Sequence, residues 1–212
     1  MKKKETSIGH DIVIITIITL VAGLLLGLVH TVTAGPIAEQ QEKTRVETQK
    51  AVFPSAAAFE TIEGAAEDEA LIQAIADAGL TKTSVSAVDV AKDAAGNPIG
   101  YVVTSSNNEG YGGEIKIMTG VDTTGDGLKI NEIAFLTLAE TAGMGMKADQ
   151  PEFKSQFSGM EIGDQMVAYT KLGKSAANEV DAISGSTVTT SAVVKATNAA
   201  LTAVSYLEGG AQ

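Results

Sequence analysis

Hydrophobic and polar positions divide the chain into stretches of different period. From Ile12 to Val29 the residues are almost all Ile, Val, Leu, Ala, Gly and Thr, with no alternation. Eighteen helical residues reach about 27 Å, close to the roughly 30 Å hydrocarbon thickness of a bilayer. One membrane-spanning helix is therefore expected over residues 12–31. Pro36 to Val52 lacks glycine and intersperses Glu39, Glu42, Lys43, Arg45, Glu47 and Lys50, which reads as a solvated helix continuing from the membrane as a stalk. Pro54 and the alanines after it break that pattern. Asp68 to Ala78 resumes helical spacing, with Leu71, Ile75 and Ala78 on one side and Gly79 as its stop.

From Ser84 the period falls toward two. Val85/Ala87 and Val88/Val90 alternate, Ala95-Gly96-Asn97-Pro98 makes a turn, and Ile99 to Val103 returns, which together predict a hairpin. Glu114 to Val121 and Leu128 to Leu138 are further strands, joined by a turn over Asp122 to Gly127. Pro151 to Phe157 reads as a short helix and Met166 to Tyr169 as a short strand. Thr190 to Leu207 reads as a final helix with Val193, Thr197, Ala200, Val204 and Leu207 on one face, ended by Gly209 and Gly210. Consecutive strands between terminal helices predict an α+β fold: an antiparallel sheet with flanking helices, preceded by one N-terminal transmembrane helix and a helical stalk. The expected division is residues 1–11 as a cytoplasmic N-terminus, 12–31 as the span, 32–83 as stalk and connector, and 84–212 as an extracytoplasmic domain.

Charge changes this picture by giving the span a direction. Lys2, Lys3 and Lys4 precede it and the next basic residue is Lys43, so positive-inside bias keeps the N-terminus cytoplasmic and sends the rest across. Val32-Thr33-Ala34 also resembles a signal-peptidase site. The apolar run is longer than the usual 7–15 residues of a secretory signal, which favours an uncleaved anchor. Removing Lys2, Lys3, Lys4, Glu5 and Asp11 from the 15 basic and 26 acidic residues leaves 12 and 24, a net charge of −12 beyond the span. Such a surface repels nucleic acid.

Composition narrows the chemistry further. The chain has no cysteine, and its only histidines, His10 and His30, flank the span. Thiol redox chemistry, Cys/His zinc sites, iron–sulfur ligation, c-type haem attachment and Ser-His-Asp triads are thereby excluded from the part beyond the membrane. No side chain stands out as catalytic. Asp122-Thr123-Thr124-Gly125-Asp126-Gly127 imitates the start of an EF-hand, but position 12 would be Ile133, so a hairpin turn is expected and no metal.

The densest chemical signal is Asp181 to Ser191, where six hydroxyl side chains surround Gly185 just before the final helix. Glycine permits close approach or a positive φ, and free N–H groups at a helix start suit phosphate. The dipole contributes only about 0.3–1 kcal/mol for one negative charge, too little to retain a scarce cofactor outside a cell, whereas a covalent bond would retain it.

Asp181-x-x-Ser184-Gly185-Ser186-Thr187-x-Thr189 resembles the flavinylation motif of the FMN-binding domains in the G subunit of the Rnf complex and the C subunit of the sodium-pumping NADH:quinone reductase. Gly110-Tyr111-Gly112-Gly113 and Glu140-Thr141-Ala142-Gly143-Met144-Gly145 resemble two further landmarks of that domain, in the same order. The likeness covers roughly Tyr101 to Leu207. It departs at Ser186, where the family usually has alanine, at Ala142, where it has proline, and at Met144, where it has leucine.

The resemblance implies FMN joined by a flavin transferase through a phosphoester to Thr189. Asp181, Ser184, Gly185, Ser186, Thr187 and Thr190 would form the attachment segment. Tyr111, Gly112, Gly113, Glu140, Thr141, Gly143, Met144 and Gly145 would complete the cofactor site, with Glu140 and Thr141 either ending a strand or holding the ring or the Thr189 loop. Lys147 is either a counter-charge for reduced flavin or a solvated lysine. Asp181 would cap the turn or be read by the transferase. The implied function is electron relay, one electron at a time, inside an ion-translocating ferredoxin:NAD+ oxidoreductase, with sister membrane subunits and membrane lipid as partners. Alternatives are the matching quinone-reductase subunit, a stand-alone membrane flavin reductase, or a surface-anchored scaffold domain without cofactor.

Overall fold

The computed structural model describes residues 8–209, so Lys2, Lys3, Lys4 and Gly210 lie outside the described residues. The chain forms two compact units, divided after Val46. Helix α1 runs over Ile8–Val52. Its segment Gly9–Pro36 is long and apolar enough to cross a membrane and is not buried by the rest of the chain. The helix thus stays apolar beyond the expected limit at residue 31. Ile14 to Leu26 expose between 41 % and 71 % of their large apolar side chains, a surface that water would penalise heavily and lipid would not. The threonines of this segment fold their hydroxyls back onto the helix: Thr16 donates to the Ile12 carbonyl at 2.8 Å, Thr31 to Gly27 at 2.8 Å and Thr33 to Val29 at 2.9 Å. Such bonds leave no hydroxyl unsatisfied in hydrocarbon. Further along, Lys43 pairs with Glu39 at 2.9 Å, as expected for the polar continuation of the helix.

The second unit is built on a six-stranded antiparallel meander with strands in sequence order. These are β1 Ala58–Thr61, β2 Thr83–Lys92, β3 Pro98–Asn107, β4 Ile115–Asp122, β5 Leu128–Leu138 and β6 Met160–Gly163. A separate two-stranded ribbon, β7 Ala168–Thr170 with β8 Glu179–Asp181, is parallel, so the antiparallel expectation holds for the main sheet but not for the ribbon. β1, β6 and β8 do not stand out in the pattern because they have only four, four and three residues.

One face of the sheet carries α4, Thr187–Gly209, and α2, Glu69–Asp77, over a core that includes Val88, Val103, Ile115, Ile117 and Val121. The other face is closed by Val52 and Phe53 on Ala91, Val102 and Met118. A bulge at Ser86 changes the alternation in β2, so that Val85 and Val88 share the α4 side. Residues 47–83, expected as stalk and connector, belong to this compact unit and contribute β1, α2 and the buried Val52, Phe53, Leu71, Ile75 and Leu80.

Two polar ties hold the helices in place. Gln49 donates to Asp89 at 2.9 Å beneath the sheet, where Asp89 also accepts from Thr61 at 2.5 Å. Asn198 of α4 accepts from the Val167 N–H at 2.8 Å and donates to the Val167 carbonyl at 2.9 Å. Replacing Asn198 with alanine leaves two buried backbone groups without partners, so the full chain in detergent should lose about 2–4 kcal/mol of unfolding free energy, read from its denaturant midpoint.

α2 matches its sequence signals. Asp68 is its N-cap, accepting from the Ala70 N–H at 2.8 Å, and Gly79 follows it at φ +72°. Leu71 and Ile75 are buried, but Ala78 is exposed and Leu80 takes the third core position, because the C-terminal turn swings the chain back. The Ala70 N–H, then the Tyr206 hydroxyl, hold the Asp68 carboxyl below its ordinary range. A depressed folded value gives a contribution present above the unfolded pKa and lost as pH falls through the folded one. Asp68→Asn, which still caps, should therefore show a smaller loss of melting temperature between neutral pH and the acid range than the native chain.

α4 begins three residues earlier than expected. Thr187 and Thr189 are in its first turn rather than in a loop before it. The helix is buried on most sides, because α2, β7 and the turn after β5 cover what the sheet leaves open.

Candidate functional site

Three connections meet at one end of the second unit. The β3–β4 loop brings Tyr111. The segment after β5 brings Glu140, Thr141, Met144 and Gly145, and the turn between β8 and α4 brings Gly185 to Thr189. Together they line a cleft of about 440 Å³. Residues up to 78 positions apart in sequence, Tyr111 and Thr189, thus share one wall system. Gly185 at φ +77° makes the turn, which the Ser186 N–H closes by donating to the Ile183 carbonyl at 2.9 Å. The Ser186 carbonyl then accepts the first helical bond, from the Thr190 N–H at 3.0 Å.

The hydroxyls of this turn are not equivalent. Thr190 is fully buried; its hydroxyl accepts from the Ile183 N–H at 3.0 Å and donates to the Ser186 carbonyl at 3.1 Å, so it staples the turn to the helix. Thr189 lies on the cleft with 1 % of its surface exposed, and its hydroxyl has no hydrogen-bond partner among the described residues. Thr187 lines the cleft half-buried, Ser186 does so while buried, and Ser184 is exposed away from it. The N–H groups of the first helical turn lack intrahelical acceptors.

The opposite wall is organised by Glu140. Its carboxylate accepts from the Tyr111 N–H at 2.9 Å, joining the two loops. Gly145 lies against the same side chain, where a Cβ would come within 2.6 Å of its oxygen. At Gly112 a Cβ would overlap the Ala139 carbonyl, so only glycine lets the two strands of loop pass so closely. The Thr141 carbonyl accepts from both the Met144 N–H at 3.1 Å and the Met146 N–H at 3.2 Å. Beyond the cleft, Lys195 of α4 pairs with Glu109, and this bond holds the Glu109 carboxyl below its ordinary range.

Residues 110–202 match the family model described as an FMN-binding domain. The chain is 32 % identical over 185 residues to the G subunit of the Na(+)-translocating ferredoxin:NAD(+) oxidoreductase complex of Acetobacterium woodii, covering 87 % of this chain and 86 % of that protein. It is 33 % identical over 198 residues to the G subunit of the ion-translocating oxidoreductase complex of Methanosarcina acetivorans, covering 93 % and 95 %. The chain belongs to the Rnf-type G-subunit family. A solved structure of the C subunit of the Na(+)-translocating NADH-quinone reductase from Parabacteroides distasonis is similar at 25 % identity and a TM-score of 0.49, over 71 % of this chain and 76 % of that one.

The departures from the G-subunit motifs have local explanations. Ala142 replaces a proline, yet the loop is closed by the doubly used Thr141 carbonyl and by Gly143 at φ +75°. Ser186 stands at the position before the helix, buried and lining the cleft. Gly112, Gly113 and Gly143 shape their loops without lining the cleft, and Asp181, Ser184 and Thr190 also lie off it. Asp181 is tied through its main chain, its N–H donating to Gln156 at 2.7 Å and its carbonyl accepting from Gln156 at 3.4 Å, and its side chain is exposed. Lys147 is exposed and not among the lining residues. The Asp122–Gly127 segment is the β4–β5 turn, with the Asp122 carboxylate accepting from the Thr124 N–H at 2.8 Å.

Sequence reasoning passed over Val188, which lines the cleft with 51 % of its surface exposed. Its signal was an apolar residue alone among hydroxyls at a helix start. With Tyr111 at 79 % and Met144 at 51 % it forms an apolar rim open to solvent.

Proposed function

We propose that this chain carries FMN esterified through its phosphate to Thr189 and relays electrons within a membrane-bound, ion-translocating ferredoxin:NAD+ oxidoreductase. The observation that carries the reading is the convergence of all three motif segments on one cleft with the unpartnered Thr189 hydroxyl in its wall. The residues present suit the group. The free N–H groups of the first turn of α4 would hold the phosphate, and the apolar surfaces of Tyr111, Met144 and Val188 would lie against the ring. Among the described residues no cationic side chain lines the cleft, so main-chain dipoles carry the anion binding. Bound FMN supplies reversible electron storage; the chain supplies placement, a fixed edge and a rim that a partner can approach.

The same reading makes the helix segment Gly9–Pro36 a single-span anchor lying in membrane lipid, with the N-terminus cytoplasmic and the flavin domain on the opposite side. Sister membrane subunits would deliver and remove the electrons, and a flavin transferase would form the ester during maturation. Isolation from the native membrane in mild detergent tests the relay. The chain should copurify with membrane subunits, and its flavin absorbance should bleach with a reduced low-potential donor and return on addition of NAD+. A flavin that stays oxidised in the intact, turning-over complex would contradict the relay.

A further inference from the structure

We infer that Glu140 is a positioning residue, which sets the flavin cleft by holding the Tyr111 main chain rather than by placing its charge on the cofactor. The inference rests on the flavin reading above only for its flavin readouts.

The Glu140 carboxylate is committed to structure on both sides. One oxygen accepts from the Tyr111 N–H at 2.9 Å. The second oxygen and the side-chain stem are covered by Gly145, where a Cβ would stand 2.6 Å from that oxygen and 2.8 Å from the Glu140 Cβ. Gly110 crowds the first oxygen as well, with a Cβ there falling at 3.1 Å. Gly145 is what the clamped carboxylate requires, whereas a Cβ at Gly110 or Gly112 would first meet the Gly113 carbonyl at 2.3 Å or the Ala139 carbonyl at 1.9 Å. Neither Gly110 nor Gly112 is needed by its own φ, since neither has a positive value.

The consequence is geometric. Tyr111 and Met144 sit on opposite sides of this clamp, one on each of the loops that form the cleft, and both are exposed apolar side chains. The Glu140 bond is a side-chain tie between these two loops, beside the main-chain contact of Gly112 with Ala139. Glu109, two residues before Tyr111, is paired with Lys195 on the helix that carries Thr189. The Tyr111 loop is thus braced toward α4 at one end and toward the Glu140 segment at the other. Losing the Glu140 bond frees the second brace alone.

Reach and charge can be separated by two substitutions that disturb packing little. Glu140→Gln keeps the length and the acceptor oxygen but removes the charge. Glu140→Asp keeps the charge but draws the acceptor back by one methylene. Hydrogen exchange at the Tyr111 amide is measured in the full chain in detergent. Flavin fluorescence anisotropy and midpoint potential are measured in the chain isolated from its native host.

The expected result is that Glu140→Gln leaves all three near the native values. Glu140→Asp should speed Tyr111 exchange by about tenfold or more, lower the anisotropy and shift the potential. Equal Tyr111 exchange in the native chain and Glu140→Asp would overturn the inference. So would a Glu140→Gln variant whose potential moves as far as that of Glu140→Asp, because the charge would then act on the flavin directly. If the native chain carries no flavin, the reading of function fails, while exchange at Tyr111 still decides whether the clamp exists.

Discussion

Thr189→Val should yield a chain that no longer fluoresces under ultraviolet light after denaturation, when isolated from a host that flavinylates the native chain. Only a covalent flavin survives denaturation, and valine preserves the shape of threonine while removing its hydroxyl. Thr190→Val is the informative companion. The Thr190 hydroxyl is spent on the Ile183 N–H and the Ser186 carbonyl, so it is not available for a phosphoester. Its loss strands a buried N–H and should cost about 1–3 kcal/mol of stability, with the fluorescent band retained. A band in Thr189→Val that disappears in Thr190→Val would reverse the assignment and would require the turn to open before modification.

Gly120→Ala should lower the melting temperature of the full chain by about 4–10 °C, corresponding to roughly 2–3 kcal/mol. Gly120 lies in β4, where a Cβ would overlap the Val52 carbonyl. That neighbour is main chain, so it cannot move aside as a side chain could. Val52 and Phe53 cover the face of the sheet opposite α4, and displacing them uncovers Ala91, Val102 and Met118. Differential scanning calorimetry in detergent measures the shift. A melting temperature within about 2 °C of the native value would show that this contact is looser than the geometry requires.

Much of the fold was legible because its signals are local. Ala95-Gly96-Asn97-Pro98 lies between two alternating runs, and Gly96 adopts φ +86° in the turn it predicts. The apolar segment of α1 needed only its length and composition. What escaped depended on partners distant in sequence. β1 is a strand because Ala58 to Thr61 pairs with Lys92 to Asp89, and the parallel ribbon exists because Ala168 to Thr170 finds Glu179 to Asp181. The start of α4 was misplaced because hydroxyl-rich residues favour turns and N-caps as much as a first helical turn. Burial settles it, since Thr189 and Thr190 pack inward.

The candidate site was legible as three motifs, yet their roles were not. Glu140 was a residue of the right type with two open readings, and its acceptor role depends on Tyr111 lying 29 positions away. Thr189 and Thr190 are adjacent and chemically identical in the sequence. Only the hydrogen bonds tell the stapled hydroxyl from the unpartnered one. Val188 went unread because its apolar side chain matters only once the opposite wall is in place.

Intact mass spectrometry of the chain from its native host, followed by fragmentation of the peptide spanning Asp181 to Lys195, tests the central claim most directly. The account predicts a chain heavier than its sequence by one FMN less one water, with the added mass on Thr189. A bare polypeptide, or the added mass on any other residue, would contradict it.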